Sequence, residues 1–208
     1  MSITIIKGLY PILDTSIIPL ADIKRCALRI LAAGVKIIQL RAKGVSSKEF
    51  LNAAITLREL TEERGATFII NDRVDIALIS KADGVHIGQR DLPYREARML
   101  LGEARIIGVS THNLKEAINA QDDGADYISF GPILSTTTKQ DTDQPKGVMK
   151  LKELKARVNI PVVAIGGIKE DNLREVMESG VDAVAMISEI LMTPDITEKT
   201  LRLLKKLS

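Results

Sequence analysis

Apolar and polar positions along the chain fall into one recurring unit: an amphipathic stretch, then Gly or Ala-Gly, then a short apolar run. The unit appears as Ala33-Gly34-Val35-Lys36-Ile37-Ile38-Gln39-Leu40, as Gly65-Ala66-Thr67-Phe68-Ile69-Ile70 and as Gly84-Val85-His86-Ile87. It returns as Gly124-Ala125-Asp126-Tyr127-Ile128-Ser129-Phe130 and as Gly180-Val181-Asp182-Ala183-Val184-Ala185-Met186-Ile187. Each Gly suits the left-handed residue that ends a helix, and each following run is short and β-branched enough to be a buried strand.

With the less marked cases, strands are predicted near residues 5–13, 35–40, 67–70, 84–87, 106–109, 127–130, 162–165 and 183–186. Helical patterns lie between them. Over 46–64, Ser46 and Glu49 have capping-box spacing, and Phe50, Ala54, Leu57 and Leu60 supply an apolar stripe. Strict strand-helix alternation with near-continuous apolar strands predicts a parallel sheet covered by helices. Eight such units favour an α/β fold of the closed (β/α)8 TIM-barrel type, a single compact domain over residues 1–208. An open doubly wound sheet is the alternative, although no Gly-x-Gly-x-x-Gly follows the first strand. The one long connection is 132–147, rich in Thr, Gln, Asp and Lys; loops of that length in compact folds are usually functional or disordered.

Composition narrows the function classes. Of 208 residues, 29 are Lys or Arg and 27 Asp or Glu, a net charge of +2, so there is no global positive field for nucleic acid. Three Tyr, three Phe and no Trp are too few for a base-stacking platform. The lone Cys26 excludes a disulfide scaffold and reads as inert packing. Apolar runs fall short of the ~20 residues a membrane span needs, and no basic segment with an apolar stretch and cleavage site opens the chain. The expectation is a soluble cytoplasmic protein without membrane or nucleic-acid partners, whose cationic site is local. Oligomeric state is left open, a homo-oligomer included.

A (β/α)8 barrel carries its active site at the C-terminal ends of the strands, so the polar residues there are the candidates. After strand two, the two-residue period puts Gln39, Arg41 and Lys43 on one side, either converging at the mouth or flanking the strand in solvent. Strand three ends Asn71-Asp72-Arg73, and Asp91 follows strand four. These two carboxylates either share one hard cation such as Mg²⁺ or cap the helices that follow them. Strand five ends Ser110-Thr111-His112, and Gly166-Gly167 after strand seven, with a helix start after strand eight, has the placement of a phosphate cradle or of a plain tight turn. His86 reads as a hydrogen-bonded barrel residue and His112 as a helix-start residue rather than as bases.

Taken in order, Gln39-Leu40-Arg41-Ala42-Lys43, Asn71-Asp72-Arg73, Gly84 to Gln89 with Asp91, Gly108 to His112, Phe130-Gly131-Pro132 with Thr136, Thr137, Thr138 and Lys139, and Ala164 to Ile168 closely resemble thiamine phosphate synthase. The resemblance runs from strand two to strand eight. It implies a (β/α)8 barrel transferase that joins a pyrimidine methyl diphosphate to a thiazole phosphate carboxylate, releasing diphosphate and carbon dioxide.

Carried onto this sequence, it implies that Gln39, Leu40, Arg41, Ala42, Lys43, Asn71, Ser110 and Lys139 bind the pyrimidine diphosphate. Arg41, Lys43, Ser110 and Lys139 are the catalytic group it implies, and Asp72 and Asp91 hold one Mg²⁺ per active site. Thr136, Thr137 and Thr138 contact the thiazole phosphate, with Gly166, Ile187 and Ser188 serving mainly through backbone. Two departures stand out: Ala42 where the family usually has Glu, and Leu134-Ser135 where it has a Pro-containing segment. By strand alternation Ala42 points away from the Gln39-Arg41-Lys43 side.

Many cations and donors with no evident nucleophile suit a dissociative reaction: diphosphate leaves, the aminopyrimidine methylene cation is attacked by the thiazole nitrogen, and decarboxylation restores the thiazolium. Rival readings are a thiazole tautomerase on the same barrel, a non-catalytic barrel that binds a phosphorylated metabolite, and another phosphate-binding barrel such as a tryptophan-pathway enzyme. The tautomerase typically carries His where this chain has Pro132 and lacks the aspartate pair.

Overall fold

The computed structural model describes residues 6–136 and 144–207. Eight parallel strands close into a barrel in sequence order: β1 (Gly8–Asp14), β2 (Ile37–Arg41), β3 (Thr67–Asn71), β4 (Gly84–Ile87), β5 (Ile106–Thr111), β6 (Tyr127–Phe130), β7 (Val162–Ile165) and β8 (Ala183–Met186). β8 pairs back onto β1, with Leu9 opposite Val184, which excludes the open sheet. Helices α1 (Ile23–Ala32), α2 (Ser47–Glu63), α3 (Val74–Ile79), α4 (Tyr94–Leu101), α5 (Leu114–Asp123), α6 (Gly147–Lys155) and α7 (Leu173–Glu178) follow the first seven strands, and α8 (Ser188–Leu191) and α9 (Ile196–Leu207) follow β8. Among the described residues no helix is long and apolar enough to cross a membrane.

The strongest helix signal is realised as written. Ser46 accepts from the Glu49 amide and the Glu49 carboxylate accepts from the Ser46 amide, while Phe50, Ala54 and Leu57 are buried. β1 and β2 are displaced toward their C-terminal ends relative to the apolar runs. The ladder continues past Leu13 and Leu40 because Asp14 lies opposite Arg41 and the Thr15 amide donates to the Arg41 carbonyl. β3 and β5 likewise extend to polar residues, Asn71 and Thr111.

Gly84 does not end a helix. It is the first residue of β4, and the left-handed residue before it is Lys81. What excludes a side chain at 84 is β5: a Cβ there would lie 2.2 Å from the Ile106 carbonyl oxygen.

The N-terminal ends of the strands share one device. Asp83, Asp126 and Asp182, each just before an even-numbered strand, accept an amide at the start of the preceding strand: Phe68 at 2.8 Å, Ile107 at 2.7 Å and Val162 at 2.8 Å. Each also pairs with a cation of the neighbouring helix, Arg58 at 2.7 Å, Arg98 at 2.7 Å and Lys155 at 2.6 Å. Charged groups that stitch helix to sheet thus occupy the lower rim, leaving the upper rim for chemistry.

Candidate active site

Side chains of β2 step outward from the barrel. Gln39 is buried, Arg41 half-buried and Lys43 exposed, while the intervening Leu40 and Ala42 are buried in the hydrophobic core. The predicted alternation therefore holds, and a ligand at the mouth would meet Leu40 and Ala42 through their backbone.

Arg41 is held by a residue the apolar pattern missed. Its Nη1 donates to Oδ2 of Asp14 at 2.7 Å, and Asp14 is completely buried. Asp14 Oδ1 accepts from the Ser16 amide at 2.9 Å and from the Ser16 hydroxyl at 2.7 Å. Charge-assisted bonds of this kind are short and directional, so the guanidinium is fixed at the rim despite the Ala42 departure. The signal was the Asp14-Thr15-Ser16 triplet that closes the first apolar run.

Lys43 is placed by a second carboxylate. Its Nζ lies 2.5 Å from Oδ2 of Asp72, and its carbonyl accepts from the Thr15 hydroxyl at 2.9 Å. Asp72 has a φ of +63°, uncommon for a residue other than glycine, which turns its carboxylate across the end of β3. The Asp72 amide donates to the His86 carbonyl at 2.8 Å.

Burial raises the carboxyl pKa of Asp72; Lys43 opposes that shift, and the facing Asp91 carboxylate adds to it. Asp91 in turn accepts from the Gly88 amide at 2.7 Å, at a position where a Cβ on residue 88 would stand 3.0 Å from the same oxygen. Neither aspartate caps a helix: the N-cap residues of α3 and α4 are Arg73 and Pro93, both without a side-chain cap. Two carboxylates facing each other, with burial and the facing carboxylate disfavouring the charge on Asp72, fit a hard divalent cation better than they fit solvent. Among the described residues no cluster of three or more His, Cys, Asp or Glu offers a denser metal site.

Ser110, at the end of β5, is half-buried opposite Ser129 in the ladder. Its hydroxyl lies 2.9 Å from His86 Nε2, and its carbonyl accepts from the Gln89 amide group at 2.6 Å. Asn71 is half-buried at the end of β3. His86 is the hydrogen-bonded barrel residue expected, and His112 bonds Glu116 just ahead of α5, whose N-cap is Asn113. Cys26 is buried and free, and burial raises the pKa of its thiol.

The glycines after β7 have a geometric reason. A Cβ on Gly166 would lie 2.6 Å from Pro132 Cα, and one on Gly167 2.5 Å from the Ser135 carbonyl oxygen. The start of the long loop packs on them, with the Leu134 amide donating to the Gly166 carbonyl. The far end of the loop is tied back by Lys146 to Pro132 and Gly147 to Ile133 backbone bonds. Thr136 is half-buried beyond this crossing, and Ile187 and Ser188 form the start of α8 at the end of β8. Thr137, Thr138 and Lys139 lie outside the described residues.

The arrangement gathers two carboxylate-anchored cations, a facing aspartate pair, a serine hydroxyl and a glycine turn around one rim. Such a set can bind a diphosphate with a divalent cation and stabilise charge that develops as it leaves.

Comparison with known proteins identifies the family. Residues 9–190 match the family described as thiamine monophosphate synthase. The thiamine-phosphate synthase of Clostridium novyi (strain NT) is 43% identical over 188 residues, 90% of this chain and 92% of that protein. That of Shouchella clausii (strain KSM-K16) is 46% identical over 188 residues, 90% of each. The thiamine phosphate pyrophosphorylase structure from Pyrococcus furiosus superposes with a TM-score of 0.90 at 36% identity, covering 99% of this chain and 98% of that one. The chain belongs to the thiamine monophosphate synthase family.

Proposed function

We propose that the protein couples an aminopyrimidine methyl diphosphate to a thiazole ethyl phosphate, carboxylated or not, to form thiamine phosphate and diphosphate. The observation that carries the reading is the rim pairing of Arg41 on Asp14 and Lys43 on Asp72, beside Asp91. Two carboxylate-anchored cations beside a facing carboxylate pair are what a diphosphate with a divalent cation would need.

Arg41, Lys43 and Lys139 offset the charge that builds on the leaving diphosphate, and Gln39, Asn71 and Ser110 orient the pyrimidine. The C–O bond breaks with its electron pair on the diphosphate oxygen, leaving a methylene cation that the aminopyrimidine ring stabilises. The thiazole nitrogen lone pair forms the new C–N bond. With the carboxylated substrate, CO2 departs and leaves its electron pair on the ring carbon, where a proton completes the thiazolium. Mg²⁺ held by Asp72 and Asp91 would supply charge neutralisation for the diphosphate. Thr136, Thr137, Thr138, Gly166, Ile187 and Ser188 are the proposed thiazole phosphate side, where backbone amides at a strand end suit an anion.

Incubation with both substrates and Mg²⁺, with EDTA as control, tests the reading: thiamine phosphate forms only when the metal is present. Absence of product with either thiazole form overturns it.

A further inference from the structure

A buried hydrogen-bonded chain crosses the barrel beneath the rim. Gln39 Nε2 donates to the Tyr10 hydroxyl at 3.0 Å, and the Tyr10 and Tyr127 hydroxyls are 2.9 Å apart. Tyr127 lies 3.0 Å from His86 Nδ1, its ring stacked on the imidazole. His86 Nε2 then lies 2.9 Å from the Ser110 hydroxyl and 3.2 Å from that of Ser129. Tyr127 occupies this place because residue 108 is glycine: a Cβ there would stand 2.1 Å from Tyr127 Cζ.

The chain has one consistent direction. Both tyrosines are fully buried and burial pushes their hydroxyl pKa values far up, so each keeps its hydrogen. Tyr10 accepts from Gln39, so its own hydrogen goes to Tyr127. Tyr127 must then donate to His86 Nδ1, which makes that nitrogen an acceptor and puts the imidazole hydrogen on Nε2. Ser110 receives that hydrogen, and its oxygen also lies 3.5 Å from the donating Ser129 hydroxyl. With its oxygen so engaged, Ser110 has a hydrogen to give toward the mouth.

We propose that His86 is a positioning residue: the Tyr10–Tyr127 pair locks it in the Nε2–H tautomer, and it thereby fixes Ser110 as a hydrogen-bond donor to an acceptor atom of the bound pyrimidine diphosphate. This rests on the reading that Ser110 faces that substrate. It goes beyond that reading by giving the serine a polarity. The pyrimidine diphosphate presents ring nitrogens and diphosphate oxygens as acceptors and an exocyclic amine as a donor, so Ser110 discriminates against the amine.

The test uses the full chain labelled with ¹⁵N. There are two histidines, so long-range ¹H–¹⁵N spectra, with His112→Gln for assignment, report the His86 tautomer directly. The expected result is a neutral ring protonated on Nε2, turning to a tautomer mixture in Tyr127→Phe. In steady-state assays, His86→Leu should raise KM for the pyrimidine diphosphate on the order of tenfold and leave KM for the thiazole phosphate unchanged. His86→Gln, which keeps an amide N–H near the Nε2 position, should recover most of that loss. A ring protonated on Nδ1, or equal kinetics for the Leu and Gln variants, overturns the proposal. The tautomer measurement needs no turnover, so it still decides the lock if the wild-type chain forms no thiamine phosphate, in which case the functional reading itself has failed.

Discussion

Arg41 and Asp14 face each other across the β1–β2 ladder, with Nη1 2.7 Å from Oδ2 and the carboxylate fully buried. A buried carboxylate whose oxygens take an arginine and a serine acts on substrate only through the arginine it holds. Asp14→Asn keeps the shape and removes the charge that fixes the guanidinium. The expected result is a fall in kcat/KM on the order of tenfold or more, with KM for the pyrimidine diphosphate carrying most of it. Steady-state kinetics with each substrate varied in turn checks this, and an unchanged KM for the pyrimidine diphosphate would place Arg41 outside its site.

The proposed Mg²⁺ site at the facing aspartates would make metal and stability interdependent. A raised folded pKa means that burial and Asp91 together outweigh Lys43 in disfavouring the charged Asp72, so that carboxylate lowers stability as pH rises through its folded pKa. Without metal, Asp72→Asn should therefore melt no lower than wild type near neutral pH. With Mg²⁺, wild type should gain melting temperature and Asp72→Asn should not. Thermal denaturation in EDTA and in excess Mg²⁺ measures both. In turnover, Asp72→Ala or Lys139→Ala should cost on the order of 10²–10³-fold, by analogy with the loss of one key electrostatic contact. Near wild-type rates in both would remove the proposed roles.

All eight strands were legible because a parallel barrel writes each as a short apolar run, in several cases just after a glycine turn, and strand period alone put Gln39, Arg41 and Lys43 on one side. Periodicity could not show that the β1–β2 ladder runs one residue beyond its apolar stretch, so Asp14 went unread. Nor could it show that Tyr10 and Tyr127, far apart in sequence, meet through their hydroxyls: both look like core residues until the barrel closes. The same limit applies to Gly84, whose reason is the approach of a neighbouring strand and not the turn it follows. For Asp72 and Asp91 the strand ends left a shared cation and helix capping as alternatives, and geometry removed the capping.

Gly108 and Tyr127 occupy the same layer of the barrel interior, and one cannot gain a Cβ without displacing the other. Gly108→Ala should cost about 1–3 kcal/mol of stability through overpacking. It should also shift the tyrosine ring away from His86, so that a lowered denaturation midpoint accompanies a raised KM for the pyrimidine diphosphate. Chemical denaturation and kinetics on the same preparation check the pair. Loss of stability with KM intact would separate the packing of Tyr127 from its hydrogen bond.

Asp182 has the opposite profile, since it sits at the N-terminal rim, away from every proposed site residue. Its Oδ2 accepts from the Val162 amide at 2.8 Å and from Lys155 at 2.6 Å, tying β7, β8 and α6 together. Asp182→Ala leaves the first amide of β7 without that acceptor and frees the ammonium. Hydrogen bonds to charged groups are worth roughly 1.5–3 kcal/mol, so the variant should lose about 2 kcal/mol, which at this chain length lowers the melting temperature by roughly 4–8 °C. Both KM values and kcat should stay near wild type below the new transition. If Asp182→Ala instead impaired turnover while still folded, the division into a stabilising lower rim and a chemical upper rim would be wrong. Asp126→Ala, which breaks the equivalent tie to Arg98 and Ile107, provides an independent repeat of the measurement.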